Sequence, residues 1–130
     1  MITVDEALQR CFSIVSALPC ELVALRHAAG RVMCEPAVAQ RDQPPFPASA
    51  MDGYAVIDAA TRPGAPLQLI GESRAGCGYT GVVKAGEAVR IFTGAPLPQG
   101  ADRCIMQEYA SRDGERVRFA EGYGPGWHVR

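Results

Sequence analysis

The chain has 130 residues, 48% of them hydrophobic and 21% charged, with 13 Lys and Arg against 14 Asp and Glu and a formal net charge of −1. That balance fits one ordinary folded domain, argues against wholesale disorder, and leaves enough chain to bury a core without disulfide or metal staples. No apolar run approaches the ~20 residues that span a bilayer, and Asp5 and Glu6 stand where a signal peptide would carry Lys or Arg, so the sequence reads as cytoplasmic.

In chain order, residues 3–18 predict an amphipathic helix, because Val4, Ala7, Leu8, Cys11, Phe12, Val15 and Leu18 recur at helical spacing. Thr3 and Glu6 form a T-x-x-E capping box at its start, and Pro19 stops it. Residues 21–25 and 31–39 read as strands on either side of a short helical turn that ends at Gly30. Pro44, Pro45 and Pro47 then exclude a helix interior or a central strand over residues 40–48, which is the expected hinge.

Beyond the hinge the pattern changes to short β segments at 54–57, 67–70, 88–92, 104–108 and 117–119, separated by Gly, Pro and Asp turns. Residues 84–87 (Lys-Ala-Gly-Glu) read as a tight turn, and Arg112-Asp113-Gly114 between two β-prone runs is a hairpin signal. The expected fold is mixed α+β and mainly β. An amphipathic helix and a short α/β layer precede a small barrel-like or sandwich β domain.

Charge and cysteine usage narrow the partners. Residues 1–65 carry −2 and residues 66–130 carry +1, so no basic stripe is present to neutralise phosphates, and no nucleic-acid partner is expected. Cys11, Cys20, Cys34, Cys77 and Cys104 include no C-x-x-C pair and read as buried free thiols. His27 and His128 form no motif together.

Two segments carry chemistry-bearing residues. In Ser49-Ala50-Met51-Asp52-Gly53-Tyr54-Ala55-Val56, Asp52 precedes a glycine that permits close backbone approach. Its carboxylate suits either a cleft, where it would meet a substrate or a Mg²⁺ ion, or an Asp-Gly turn bonded to its own backbone. In the segment from Thr93 through Gly94 to Asp102, a hydroxyl at a strand end followed by glycine suits oxyanion binding through the hydroxyl and backbone N–H groups. The same segment also reads as a proline-stiffened connection that Thr93 merely caps.

Together and in this order, the two blocks resemble the amino-terminal part of the molybdopterin molybdenumtransferase family, the bacterial MoeA proteins and the E domain of gephyrin. The resemblance continues through Ala29-Gly30-Arg31-Val32, Pro45-Phe46, Ala85-Gly86, Gly100-Ala101-Asp102, Met106-Gln107-Glu108 and Pro125-Gly126. Three positions depart from the family pattern. Pro47-Ala48 stand where Asp-Asn is common, Phe92 where Met or another apolar residue is usual, and His128 where Asn is common.

Family chains continue with a further α/β domain and a carboxyl-terminal β domain, so the resemblance implies an amino-terminal fragment. It places the helix and part of a mixed domain at 1–43, an inserted β domain at 44–124, and the return into the mixed domain at 125–130. It also implies a transferase that inserts molybdate into adenylylated molybdopterin with Mg²⁺ and releases AMP, acting as a homodimer.

Asp52 would then be the acidic residue of the site and a Mg²⁺ ligand, and Thr93 the second catalytic residue. Arg130, Ser49, Gly53 and Gly94 would bind substrate, and Glu108 would support the loops. The fragment alone is expected to be inactive, because half a site is missing. A non-catalytic binding or scaffold module of the same fold is the alternative, since gephyrin uses this architecture to hold a receptor segment.

Overall fold

The computed structural model describes residues 2–124 and 126–130; Met1 and Pro125, the first residue of the expected return segment, lie outside the described residues. The chain divides into two compact units that meet between Ala39 and Gln40.

In the first unit one helix, α1, spans Val4–Ile14. The predicted capping box closes its N-terminus: the Glu6 N–H donates to Thr3 Oγ1 at 3.2 Å and the Thr3 N–H donates to Glu6 Oε2 at 2.8 Å. The helix ends four residues before the predicted Leu18. Val15 is already extended, no basic side chain stands in the last turn, and β-branched Ile14 and Val15 are weak helix formers.

The short turn expected before Gly30 is present as a 3₁₀ turn over Leu25–His27. The strands expected at 21–25 and 31–39 do not form. Their β-prone residues have no neighbouring strand to pair with, and an unpaired segment gains nothing from being extended. None of the described residues 2–39 is buried, and Val4, Phe12, Leu18, Leu22 and Val32 are all exposed.

The cysteine expectation is corrected here as well. Cys20 and Cys34 form a disulfide with Cα atoms 6.1 Å apart, Cys11 and Cys77 are exposed, and only Cys104 among the described residues is a buried free thiol. Spacing could not show this pairing, because it depends on how residues 20–34 turn back on themselves.

The second unit is a six-stranded, curled half-barrel sheet in the order β4-β1-β3-β2-β6-β5, with β1 Gly53–Val56, β2 Leu67–Ser73, β3 Glu87–Ile91, β4 Arg103–Met106, β5 Ala110–Asp113 and β6 Arg116–Phe119. Five strands match the predicted segments, and β5 completes the hairpin signalled by Arg112-Asp113-Gly114. Gly114 holds φ 57° at the first central position of that two-residue turn, where glycine is required. Residues 84–87 form the expected turn, with the Glu87 N–H donating to the Lys84 carbonyl at 3.0 Å and Gly86 at φ 85°.

Antiparallel pairing joins β1 to both β3 and β4, while β2 and β3 run parallel. The parallel pair needs a crossover, supplied by the turn-rich residues 74–86. Side chains alternate across β1, so both faces of the sheet bury a cluster. Tyr54 and Val56 pack with Leu67, Ile105, Val117 and Phe119 on one face, and Ala55 packs with Val83, Val89, Ile91 and Cys104 on the other.

Gly53 is buried where β1 passes β4, and a Cβ there would lie 2.0 Å from the Ile105 carbonyl oxygen. No rotamer relieves a backbone clash. Gly53→Ala is therefore expected to lower unfolding free energy by about 2–3 kcal/mol, measured by urea denaturation; a change under about 0.5 kcal/mol would contradict this packing.

Candidate functional site

Three stretches from distant parts of the sequence meet at residues 47–49. The Leu97 N–H donates to the Pro47 carbonyl at 2.9 Å, the Ser49 N–H to the Ala95 carbonyl at 2.9 Å, and the Gly94 N–H to the Ser49 carbonyl at 2.8 Å. From the other side, Ala48 and Arg130 exchange two backbone hydrogen bonds of 2.9 and 3.0 Å, and the Ala50 N–H donates to the His128 carbonyl at 2.8 Å. The two sequence blocks and the chain's last residues are thereby fastened into one small ladder.

Each loop has a local reason for its shape. The Ala95 N–H donates to the Phe92 carbonyl at 2.9 Å, and Gly94 holds φ 79°, so residues 92–95 form a turn of the type that demands glycine at its third position. Thr93 sits second in that turn with its side chain exposed. Ser73 anchors the loop from beneath: it is fully buried and its hydroxyl donates to the Pro96 carbonyl at 2.7 Å. Ser49 is also buried, and its hydroxyl donates to the Met51 carbonyl at 2.6 Å, closing the turn that leads to Asp52.

Residues 126–130 are held by β4. The Cys104 N–H donates to the Trp127 carbonyl at 3.0 Å. The buried Arg103 guanidinium bonds Asp58 and the Gly124 carbonyl and lies 4.7 Å from the Tyr123 ring centroid. His128 has a left-handed backbone with φ 52°. Asn, Asp and His adopt that conformation more readily than most non-glycine residues, so His128 meets this backbone demand at modest cost.

Asp52 and Thr93 form the centre of the arrangement. Asp52 Oδ1 accepts both the backbone N–H and the hydroxyl of Thr93, each at 2.8 Å. These two donors, backbone first, hold the carboxyl below the ordinary carboxylate range, with a smaller contribution from the Arg90 charge. Of the two readings open in the sequence, the turn bonded to its own backbone is not the one formed, because the carboxylate reaches across to a residue 41 positions away.

Beside this pair lies a cleft of about 290 Å³ lined by Pro44, Phe46, Ser49, Thr93, Gly94 and Arg130, among others. The Arg130 side chain forms no ion pair among the described residues. Four of the predicted site residues, Ser49, Thr93, Gly94 and Arg130, thus share one cleft, and Asp52 adjoins it through Thr93. Glu108 sits apart, exposed in a 3₁₀ turn over Gln107–Tyr109, and Gly53 is accounted for by the close approach of β4.

Cys104 lies behind the turn, where burial pushes its thiol up. Two residues not singled out from the sequence, Arg90 and Gln107, brace the turn from the sheet side: Arg90 bonds the Gly53 carbonyl at 3.1 Å and the Gln107 side chain, and the Gln107 N–H donates to the Asp52 carbonyl at 3.0 Å. Gln107 falls inside the quoted Met106-Gln107-Glu108 segment, whereas Arg90 precedes the quoted Thr93 segment by three residues.

The described residues hold no cluster of three or more His, Cys, Asp or Glu side chains. A single carboxylate still fits Mg²⁺, which commonly takes one or two protein carboxylates and completes its shell with substrate phosphates and water. Asp52 Oδ2 accepts no hydrogen bond from the described residues and is the oxygen left for that purpose.

The hydroxyl donor can be removed by itself. Thr93→Ala is expected to raise the Asp52 pKa towards the ordinary value of ~3.9, read by carboxyl-carbon NMR titration. Because the native pKa is depressed, the stabilisation is complete above the unfolded value and is lost as pH falls through the native one. The stability gap between wild type and Thr93→Ala should therefore close on acidification through that window, and a gap independent of pH would show that the bond does not act on the charge.

The sequence matches the MoeA N-terminal region (domain I and II) over residues 2–130. It is 35% identical to a molybdopterin molybdenumtransferase of Haemophilus influenzae, covering 100% of this chain and 33% of that protein. Identity is 37% to one from Nostoc, covering 85% of this chain and 26% of that protein. The fold superposes with a TM-score of 0.74 and 36% identity on the molybdopterin biosynthesis moeA protein of Pyrococcus horikoshii OT3, covering 85% of this chain and 30% of that one. The chain thus spans about a third or less of the length of these relatives. With the two motif blocks and the curled sheet in the same order, the chain belongs to the family of MoeA N-terminal regions.

Proposed function

We propose that this chain supplies one wall of the site at which a molybdenumtransferase inserts molybdate into adenylylated molybdopterin and releases AMP. The observation that carries the reading is the Asp52 carboxylate, doubly capped by Thr93 at the rim of the cleft that holds Arg130. Both substrates are polyanionic, and such a site needs a cation for the oxyanion and an ionised carboxylate to place a divalent metal.

Each residue has a distinct task in this reading. Arg130 presents a planar guanidinium, suited to paired hydrogen bonds with phosphate or molybdate oxygens. Thr93 keeps Asp52 ionised and aimed, because its two donors occupy Oδ1 and leave Oδ2 free. Ser49 and Gly94 shape the wall between them. Asp52 would hold Mg²⁺, which when bound neutralises charge on the phosphate oxygens. Substrate binding, orientation and exclusion of water on this side fall to the cleft residues themselves.

The opposite wall is proposed to come from parts of the longer relatives that this chain does not span, across a homodimer. The exposed apolar residues of α1 are consistent with that assembly, since none of them is covered. A misplacement of ~1 Å can cost about a hundredfold in rate, so the 130-residue chain alone should release no measurable AMP.

The test uses Asp52→Asn in a transferase of the relatives' full length. AMP release should fall by ~10²-fold or more, while thermal unfolding shifts little, because Asn keeps the shape and one acceptor oxygen. Near-normal AMP release from a well-folded variant would overturn the assignment of Asp52.

A further inference from the structure

Among the described residues, Arg90 is the cation whose side chain bonds the backbone of the Asp52 turn, and its guanidinium has two acceptors and two aromatic neighbours. Its Cζ lies 5.2 Å from the Tyr54 ring centroid and 4.8 Å from that of Phe92. One terminal nitrogen donates to the Gly53 carbonyl at 3.1 Å, and the other bonds Gln107 Oε1. Gln107 in turn donates its N–H to the Asp52 carbonyl at 3.0 Å, so the guanidinium closes a ring through residues 52, 53 and 107. Arg90 stands on β3 opposite Tyr54, three residues before Thr93.

We infer that Arg90 is the positioning residue of this site: within cation–π range of two aromatic rings, it locks the turn carrying Asp52 to the turn carrying Gln107 and so presents the carboxylate to Thr93. The inference deepens the reading of Asp52 as the site carboxylate and rests on it. A lysine would not replace the arginine, because a single ammonium lacks the planar fork that reaches both acceptors at once. Phe92 adds the second aromatic face, 4.8 Å from the Arg90 guanidinium carbon. The Arg90 charge also favours the ionised carboxyl, in the same sense as the Thr93 donors.

The experiment follows the Thr93 amide resonance in this chain at neutral pH, for wild type, Arg90→Lys, Arg90→Met and Gln107→Ala. A purely structural role for Arg90 would lower the melting temperature and leave the Thr93 amide where it is. The expected result is that Arg90→Met shifts the amide upfield, and that Arg90→Lys does not restore the wild-type resonance. Gln107→Ala, which leaves the sheet intact, should give a smaller change in the same direction and keeps the inference testable should Arg90→Met fail to fold.

In a full-length transferase, Arg90→Lys should lower kcat by about tenfold or more with KM little changed, as for a lost orienting contact. A folded Arg90→Met or Gln107→Ala chain with a wild-type Thr93 resonance would overturn the inference. Because that readout does not involve turnover, its failure is distinct from failure of the transferase reading, which Asp52→Asn tests.

Discussion

The close approach of β1 to β4 at Gly53 is the constraint on which the rest of the second unit depends. The Ile105 carbonyl occupies the space where any other residue would place its Cβ, so β4 can pair along the whole of β1. With β3 on its other edge, β1 is buried on both faces and becomes the strand around which the two apolar clusters assemble. Asp52 is the residue immediately before that strand, and its backbone therefore inherits the rigidity of the sheet. A carboxylate on an unsupported loop could reach the same hydrogen bonds only at an entropic cost that this turn has already met in folding.

Support for the site comes from outside the sheet as well. Residues 47–49 form the middle rung of a small ladder, with residues 94–97 on one side and 128–130 on the other. This explains why residues so distant in sequence share one cleft: each pair is tied by backbone bonds that no side-chain substitution removes. Buried polar groups complete the bracing. Ser73 holds the Pro96 carbonyl, Ser49 holds the Met51 carbonyl, and Arg103 joins Asp58 to the Gly124 carbonyl. These groups satisfy carbonyls that the irregular loops would leave bare, while Arg103 Nε stays buried without a partner among the described residues.

The electrostatic character of the site is set by pairing at its rim. Asp52 is ionised because two donors converge on one oxygen, while Arg130 remains free to meet an anion. Thr93 and Arg130 line the same cleft, and Asp52 adjoins it through its bonds to Thr93. In the proposed reading, that wall would meet a polyanionic ligand that brings its own divalent cation. The helix of the first unit carries an apolar stripe in which Val4, Leu8 and Phe12 are exposed.

Much of this was legible in the residues. The T-x-x-E box, five of the six strands, the glycine-centred turns at 86 and 114, and the position of Asp52 and Thr93 at strand ends all follow from local pattern, because capping, alternation and positive φ are short-range effects. The local pattern misled over residues 21–25 and 31–39, where β-prone composition had no partner strand, and over the cysteines, where pairing depended on a fold-back that spacing does not encode.

The roles of Gly53, Arg90 and Gln107 were equally out of reach, since each acts on a residue from another strand or turn. The sequence by itself determined which segments turn, which alternate and which side chains could carry charge chemistry. Only the tertiary structure decided that Asp52 meets Thr93 across 41 residues rather than its own backbone, because strand pairing and backbone ladders, not neighbourhood in the chain, set which polar groups come within 2.8 Å of each other.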